Sequence, residues 1–75
     1  MLKTGDFVTG TVESDMKYSV TNRSMRVGLV TLNKFDTNSM YVMIIEHKRS
    51  ICIGQEYEVN PMFFKKINVE NEEET

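Results

Sequence analysis

Two side chains of the kinds that most often carry catalysis occur once each in this sequence, His47 and Cys52. Because they lie five residues apart across a short break, their imidazole and thiol groups could meet in a tight turn, as a nucleophilic cysteine and its base require. Such a site also needs a group that orients the imidazole, for which Glu46 and Asn60 are the candidates, and a glycine-rich oxyanion loop, which the sequence lacks. We therefore interpret Cys52 as a small apolar filler and predict that the protein is not an enzyme.

Metal and cofactor binding are disfavoured by the same scarcity of ligands. One histidine, one cysteine and scattered carboxylates show none of the spacings typical of metal sites. Glu56 and Glu58 share one face of a predicted strand, but their alternation with Tyr57 and Val59 is that of an ordinary half-buried strand. The sequence therefore predicts no metal, no other cofactor and no catalytic residues.

The basic side chains offer a different chemistry, the binding of an anion. The net charge is −2, but residues 68–75 contain four acidic residues and no basic one, which leaves residues 1–67 with nine basic and seven acidic residues. A surface formed by a long loop and the end of a later strand would bring together four of the bases, Arg23, Arg26, Lys48 and Arg49. Binding of a nucleic acid or a small nucleotide there, or in a pocket between subunits, is the alternative functional hypothesis.

Composition indicates that strands are the elements that must position these groups. Val, Ile, Thr, Tyr and Phe provide 27 of the 75 residues, whereas Leu provides three and Ala none, so an all-β fold is predicted. Alternating apolar positions predict the main strands at residues 6–13, 27–35, 40–48, 56–59 and 65–67, with a minor strand at 51–53. Between them we expect an ordered loop at residues 14–26, a hairpin turn at 36–39 and a 3₁₀ turn at 62–64.

This order of elements resembles the SH3-like small β-barrel over residues 5–67. The resemblance is carried by Gly5-Asp6 at the start of the first strand, by Val27-Gly28-Leu29-Val30 in the second, and by Tyr57-Glu58-Val59-Asn60-Pro61 ahead of Phe63-Phe64. It implies an all-β, five-stranded SH3-like barrel with a long first loop and a short 3₁₀ turn before the last strand. The segments Tyr18-Ser19-Val20-Thr21 and Gly28-Leu29-Val30, with a closing Phe, also resemble small proteins of phages and low-GC bacteria, which implies a phage or mobile-element accessory role.

The expected domain bounds and the expected cellular compartment follow from the charge pattern, the apolar runs and the single cysteine. Residues 1–67 are expected to form one domain and residues 68–75 an acidic, disordered tail. The longest apolar run, residues 40–45, is far shorter than the roughly 20 residues that cross a bilayer, and the N-terminus lacks the apolar stretch of a secretory leader. A single cysteine excludes an internal disulfide, so we expect a cytoplasmic protein without membrane contact.

The strands at the centre of the sequence are apolar on both of their faces. In the third strand, Val42 and Ile44 alternate with Tyr41, Met43 and Ile45. A barrel this small has one interior, so the other face must be covered by the long loop, by the 3₁₀ segment or by another chain. We therefore predict a small non-catalytic binding protein that acts stoichiometrically, through a protein partner or as a homo-oligomer. Its predicted interface consists of Tyr41, Met43, Ile45, Val30 and Leu32.

Overall fold

Antiparallel strands dominate the computed structural model, which describes residues 2–34 and 37–68. The five strands in these ranges are β1 (Phe7–Gly10), β2 (Met25–Lys34), β3 (Ser39–His47), β4 (Glu56–Val59) and β5 (Phe64–Lys66). They form one sheet in the order β4-β3-β2-β1-β5, which confirms the predicted all-β class. Because β4 and β5 lie at opposite edges and do not pair with each other in the described residues, the sheet is open there rather than closed into the predicted barrel.

The β2–β3 hairpin is the longest pairing in the sheet. Its register places Gly28 opposite Ile44, Leu29 opposite Met43 and Val30 opposite Val42. Irregularities between Met25 and Gly28, and again between Val30 and Leu32, interrupt this ladder. A β-bulge bends a strand and increases its twist. These irregularities therefore curve β2, which pairs with β1 on one side and with β3 on the other.

A short helix, α1 (Val12–Lys17), replaces the second half of the predicted first strand and the start of the predicted loop. Its first turn carries Glu13 and Asp15 and its last turn Lys17, the arrangement that complements the helix dipole. The alternation through Val12 suggested a strand, yet Val12 is 60% exposed on the helix. The prediction of a strand over residues 11–13 was therefore wrong, because local charge placement and the packing of the following loop outweighed the pattern.

Residues Ser50–Cys52 form a 3₁₀ helix rather than the predicted minor strand. The chain has to reverse between β3 and β4, and it does so through Gly54, whose φ of +92° suits a glycine. The amide of Gly54 donates to the carbonyl of Ile44 at 2.8 Å, which fastens the turn to β3. A second 3₁₀ helix, Pro61–Phe63, precedes β5 close to the position expected from sequence, and the Asn60 side chain accepts a hydrogen bond from the Met62 amide at its start.

The core lies on one face of the sheet. Its buried apolar residues come from all five strands and from the 3₁₀ helix Ser50–Cys52: Val8, Met25, Val30, Met40, Val42, Ile44, Cys52, Val59 and Phe64. Tyr18, Val20 and Phe63 pack against this cluster from the long loop and from the second 3₁₀ helix. The loop between α1 and β2 is thus an ordered cover for the core, in line with the ordered loop predicted from the sequence.

Several predictions concern residues outside the described ranges. Phe35, predicted to end the second strand, and Asp36, predicted to begin the hairpin turn, both lie there, as do residues 69–75 of the predicted acidic tail. Among the described helices, none has the length and apolar character needed to cross a membrane.

Candidate interaction surface

An apolar row crosses three strands on the face of the sheet opposite the core. Phe7 of β1 pairs with Leu29 of β2, and Leu29 pairs with Met43 of β3. Their chain neighbours Val8, Gly28 and Ile44 face the core, so strand alternation places the row on the other side. We call this side, formed by Phe7, Val27, Leu29, Leu32, Tyr41, Met43 and Ile45, the outer face.

The outer face is incompletely shielded from water. Leu32 is 48% exposed and Ile45 is 37% exposed, whereas the other members are half-buried. Half-buried apolar side chains in a row cover one another but remain available to a partner. Four of the five residues predicted as an interface, Tyr41, Met43, Ile45 and Leu32, therefore lie together on this face.

Val30 is the member of the predicted interface that the structure places elsewhere. Its side chain is completely buried in the core, so it cannot contribute to a contact surface. The sequence assigned Val30 and Leu32 to one face because they are two residues apart. The irregularity between them inserts an extra residue into β2, which turns Val30 inward and Leu32 outward.

The long loop and the 3₁₀ segment, two of the three alternatives for covering the second face, cover the core instead. Tyr18 lies between Phe63 and Phe64 with ring centroids 5.9 Å away in both cases. Its hydroxyl oxygen accepts a hydrogen bond from the amide of Asn60 at 2.9 Å, which ties the long loop to the turn before β5. Since these side chains are committed to the inner side of the sheet, they are not available to shield the outer face.

Acidic side chains border the outer face along β3 and β4. Glu46 is paired with Val27, Glu56 with Met43 and Glu58 with Tyr41. The Thr31 hydroxyl donates to Glu56 and the Ser39 hydroxyl donates to Glu58, so both carboxylates lean over the sheet. The ammonium of Lys34 lies 5.0 Å from the centre of the Tyr41 ring and 4.0 Å from the Glu58 carboxylate. The surface is therefore apolar in the middle and predominantly acidic on this border.

The four basic residues of the alternative hypothesis occupy one end of the molecule. The amide of Lys48 donates to the Ser24 carbonyl at 2.9 Å, and the Arg49 guanidinium donates to the Ser19 carbonyl at 3.2 Å, so the end of β3 lies against the long loop. Lys48 and Arg23 line one shallow cleft of about 350 Å³. Lys48 and Arg26 line another of about 300 Å³.

Arg23 is engaged by a carboxylate from the same chain. Its backbone amide and its guanidinium Nε donate to Asp15 at 3.1 and 2.6 Å. The side-chain hydrogen bond from Arg23, followed by that from its backbone amide, holds the pKa of Asp15 below its ordinary value, and the same carboxylate raises the pKa of Arg23. An incoming anion would have to displace Asp15 to use this guanidinium.

His47 and Cys52 both contribute to the packing around the end of β3. The His47 Nδ1 accepts a hydrogen bond from the Arg49 amide at 2.9 Å, and Nε2 lies 2.9 Å from the Val20 carbonyl, to which it donates. With both ring nitrogens engaged by the backbone, the imidazole joins β3 to the long loop. Cys52 is 5% exposed within the core cluster. In residues 2–34 and 37–68, no three side chains of the metal-ligating types come together.

Three members of the outer face, Phe7, Val27 and Leu29, were not among the predicted interface residues. The signal for Phe7 was its position one residue before the inward-facing Val8. Leu29 follows the inward-facing Gly28, which has no side chain to indicate that orientation in the sequence. Comparison of the chain with protein-family models, with curated proteins and with solved structures finds no match.

Proposed function

We propose that this chain is a small non-catalytic binding protein that acts stoichiometrically and contacts a protein partner through its outer face. The observation that carries the proposal is that Leu32 and Ile45 stay exposed beside a half-buried apolar row, while the long loop and the second 3₁₀ helix pack on the core. Apolar continuity of this kind is characteristic of contact surfaces. No turnover is needed for a role of this type.

The chemistry of the border defines the complementary partner. Glu46, Glu56 and Glu58 are exposed, so a partner that places basic side chains around an apolar centre matches both parts of the surface. Met43 lies at the β3 end of the row, and its unbranched thioether adapts to irregular contacts. The charges favour orientation and association rate, and the apolar centre provides most of the affinity.

The proposal includes the finer fold assignment, an SH3-like small barrel. The strand order β4-β3-β2-β1-β5, the long irregular β2 and the 3₁₀ helix between β4 and β5 support it. The open side between β4 and β5 is the feature that departs from a fully closed barrel. Together with the resemblance to small phage and low-GC bacterial proteins, this fold supports a cytoplasmic accessory role in a phage or mobile element.

A charge substitution on the outer face tests the binding role. We expect the Leu32→Glu/Ile45→Glu variant to lose a partner protein that the wild type captures, because two carboxylates would have to be buried against it. Val12→Glu/Met16→Glu is the matched control, since Val12 and Met16 are 60% and 89% exposed on α1 and are not part of the outer face. The wild type and the two variants are immobilised, and quantitative mass spectrometry of the cell proteins that each captures measures the loss. An identical set of captured proteins for all three would contradict the proposal, provided that circular dichroism shows the same fold.

Anion binding is the second candidate, supported by the two shallow clefts that Lys48 lines with Arg23 and with Arg26. This hypothesis predicts that a fluorescent single-stranded oligonucleotide or ATP binds at low salt and dissociates as salt rises. Arg26→Glu/Lys48→Glu should abolish this binding, whereas the Lys3→Glu/Lys17→Glu control, with the same change in net charge, should retain it. Absence of binding to both probes at low salt, or equal loss in the two variants, would eliminate this candidate.

A further inference from the structure

The two edge strands of the sheet each have one side without a strand partner in the described residues. Within residues 2–34 and 37–68, β4 pairs only with β3 and β5 only with β1, so the opposite side of each strand ends the described sheet. An unpaired edge presents backbone N–H and C=O groups that can hydrogen-bond to a further strand. Both edges are short, with four residues in β4 and three in β5.

The two edges carry opposite charge. β4 carries Glu56 and Glu58, and β5 carries Lys65 and Lys66; all four residues are exposed. Both carboxylates accept hydrogen bonds from hydroxyl groups of β2 and β3, so they have to turn outward to meet a neighbouring chain. Glu56 and Glu58 lie on the outer face, and Lys65 does too, because its partner Thr9 stands between the inward-facing Val8 and Gly10. In a sheet that continued from the β4 edge of one molecule to the β5 edge of another, Lys65 would therefore lie beside the carboxylates on the same face.

Exposed apolar side chains accompany both edges. Ile51 and Ile53, which are 80% and 48% exposed, lie just before β4, and Met62, which is 75% exposed, lies just before β5. Met62 also lines an open cavity of about 550 Å³ together with Leu2, Pro61 and Phe64, and Lys65 and Lys66 border the same cavity. Each edge therefore offers hydrogen-bonding groups, charge and an adjoining apolar surface.

We propose that a second copy of this chain occupies these edges, with the acidic β4 edge of one molecule against the basic β5 edge of the next. The contact is heterologous, because the two surfaces that meet are different. The pair still has a free basic edge on one molecule and a free acidic edge on the other, so association continues into a ring or a chain. In either assembly the outer faces lie side by side and offer repeated contacts to a partner, which raises its avidity.

Charge reversal on one edge at a time tests this pairing in the full chain. We expect the wild type at low salt to exceed the mass of a single chain and to dissociate as salt rises. Glu56→Lys/Glu58→Lys and Lys65→Glu/Lys66→Glu should each have the mass of one chain, because like charges meet. An equimolar mixture of the two should reassociate, since every contact then joins Lys to Glu. Sedimentation velocity measures all four samples.

Controls separate edge pairing from net charge and from folding. Glu13→Lys/Glu46→Lys and Lys17→Glu/Arg26→Glu change the net charge by the same amounts outside the two edge strands and should retain the wild-type mass. Lys66 also lies 3.7 Å from the Asp6 carboxylate, so Lys65→Glu alone, which leaves that ion pair intact, should weaken association without affecting the fold.

Two results would overturn the pairing of edges. One is a wild type that stays a single chain at every concentration, and the other is a mixture of the reversed variants that fails to reassociate although both are folded. Neither result decides whether a partner binds the apolar centre of the outer face, because Leu32→Glu/Ile45→Glu changes that centre alone, leaves both edges intact and is expected to keep the wild-type mass.

Discussion

The inner and outer faces of the β2–β3 hairpin are made of similar residues and differ in what covers them. Ile44 is fully buried, whereas Ile45, the next residue along β3, is 37% exposed. The inner face is enclosed by Tyr18, Val20 and Phe63, which are contributed by the long loop and the second 3₁₀ helix. The same hydrophobicity thus stabilises the fold on one face and remains available for binding on the other.

Truncation of the two adjacent isoleucines should give the largest difference between the faces. Ile44→Ala removes buried methyl groups and leaves a cavity, so we expect the free energy of unfolding to fall by about 2–5 kcal/mol. Ile45→Ala should lower it by about 0.5 kcal/mol, as for other surface substitutions. Urea denaturation followed by circular dichroism measures both values. Similar losses would show that the outer face is covered in solution.

A methyl group added under the long loop should have the next largest effect. A Cβ at Gly10 would lie 2.5 Å from the Asn22 carbonyl carbon, and this backbone atom cannot move without displacing the loop. We expect Gly10→Ala to lower the free energy of unfolding by about 1–3 kcal/mol. Gly28→Ala is the comparison, because its Cβ would meet only the flexible end of Met25 within 3 Å and should cost less. Thermal unfolding of both variants tests the order, and a larger loss for Gly28→Ala would refute it.

Removal of the Tyr18 hydroxyl tests one contact that holds the long loop over the inner face. Tyr18→Phe keeps the ring between Phe63 and Phe64 but deprives the Asn60 amide of its acceptor, so the expected loss is about 1 kcal/mol. Tyr57→Phe is the control, because the Tyr57 hydroxyl donates to the side chain of the exposed Gln55 and water can replace it. Chemical denaturation should show a change for Tyr18→Phe alone; equal changes would mean that the hydroxyl of Tyr18 does not fasten the loop.

The smallest effect is expected at the Asp15–Arg23 pair on the surface. The pKa of Asp15 is lowered in the folded protein, so its contribution to stability is present above the ordinary value of 3.8 and is lost as pH falls through the lowered pKa. The stability difference between the wild type and Asp15→Asn should therefore be constant near neutral pH and shrink below about pH 4. Denaturation curves across this range measure it, and a difference that grows on acidification would contradict the assignment.

Local sequence patterns predicted most of the strands and the residues of the hairpin. The alternation from residue 40 onward located β3, and Pro61 marked the 3₁₀ helix. The helix α1 was not predicted because Val12 prolongs the alternation of β1, while the contacts that favour a helix come from the packed loop. The inward orientation of the Val30 side chain was not predicted, because a bulge depends on both strands of a pair and has no fixed sequence signal in either strand alone.

The sequence by itself determined that this chain is rich in strands and carries more apolar strand surface than one small interior can hold. Those properties depend on side-chain type and on the two-residue period, both of which are local. Only the tertiary structure decided which face is covered, that Val30 belongs to the core, and that an acidic and a basic strand form opposite edges of the sheet. These outcomes depend on pairing between distant segments, such as Tyr18 with Asn60, and such pairings are settled only when the whole chain packs together.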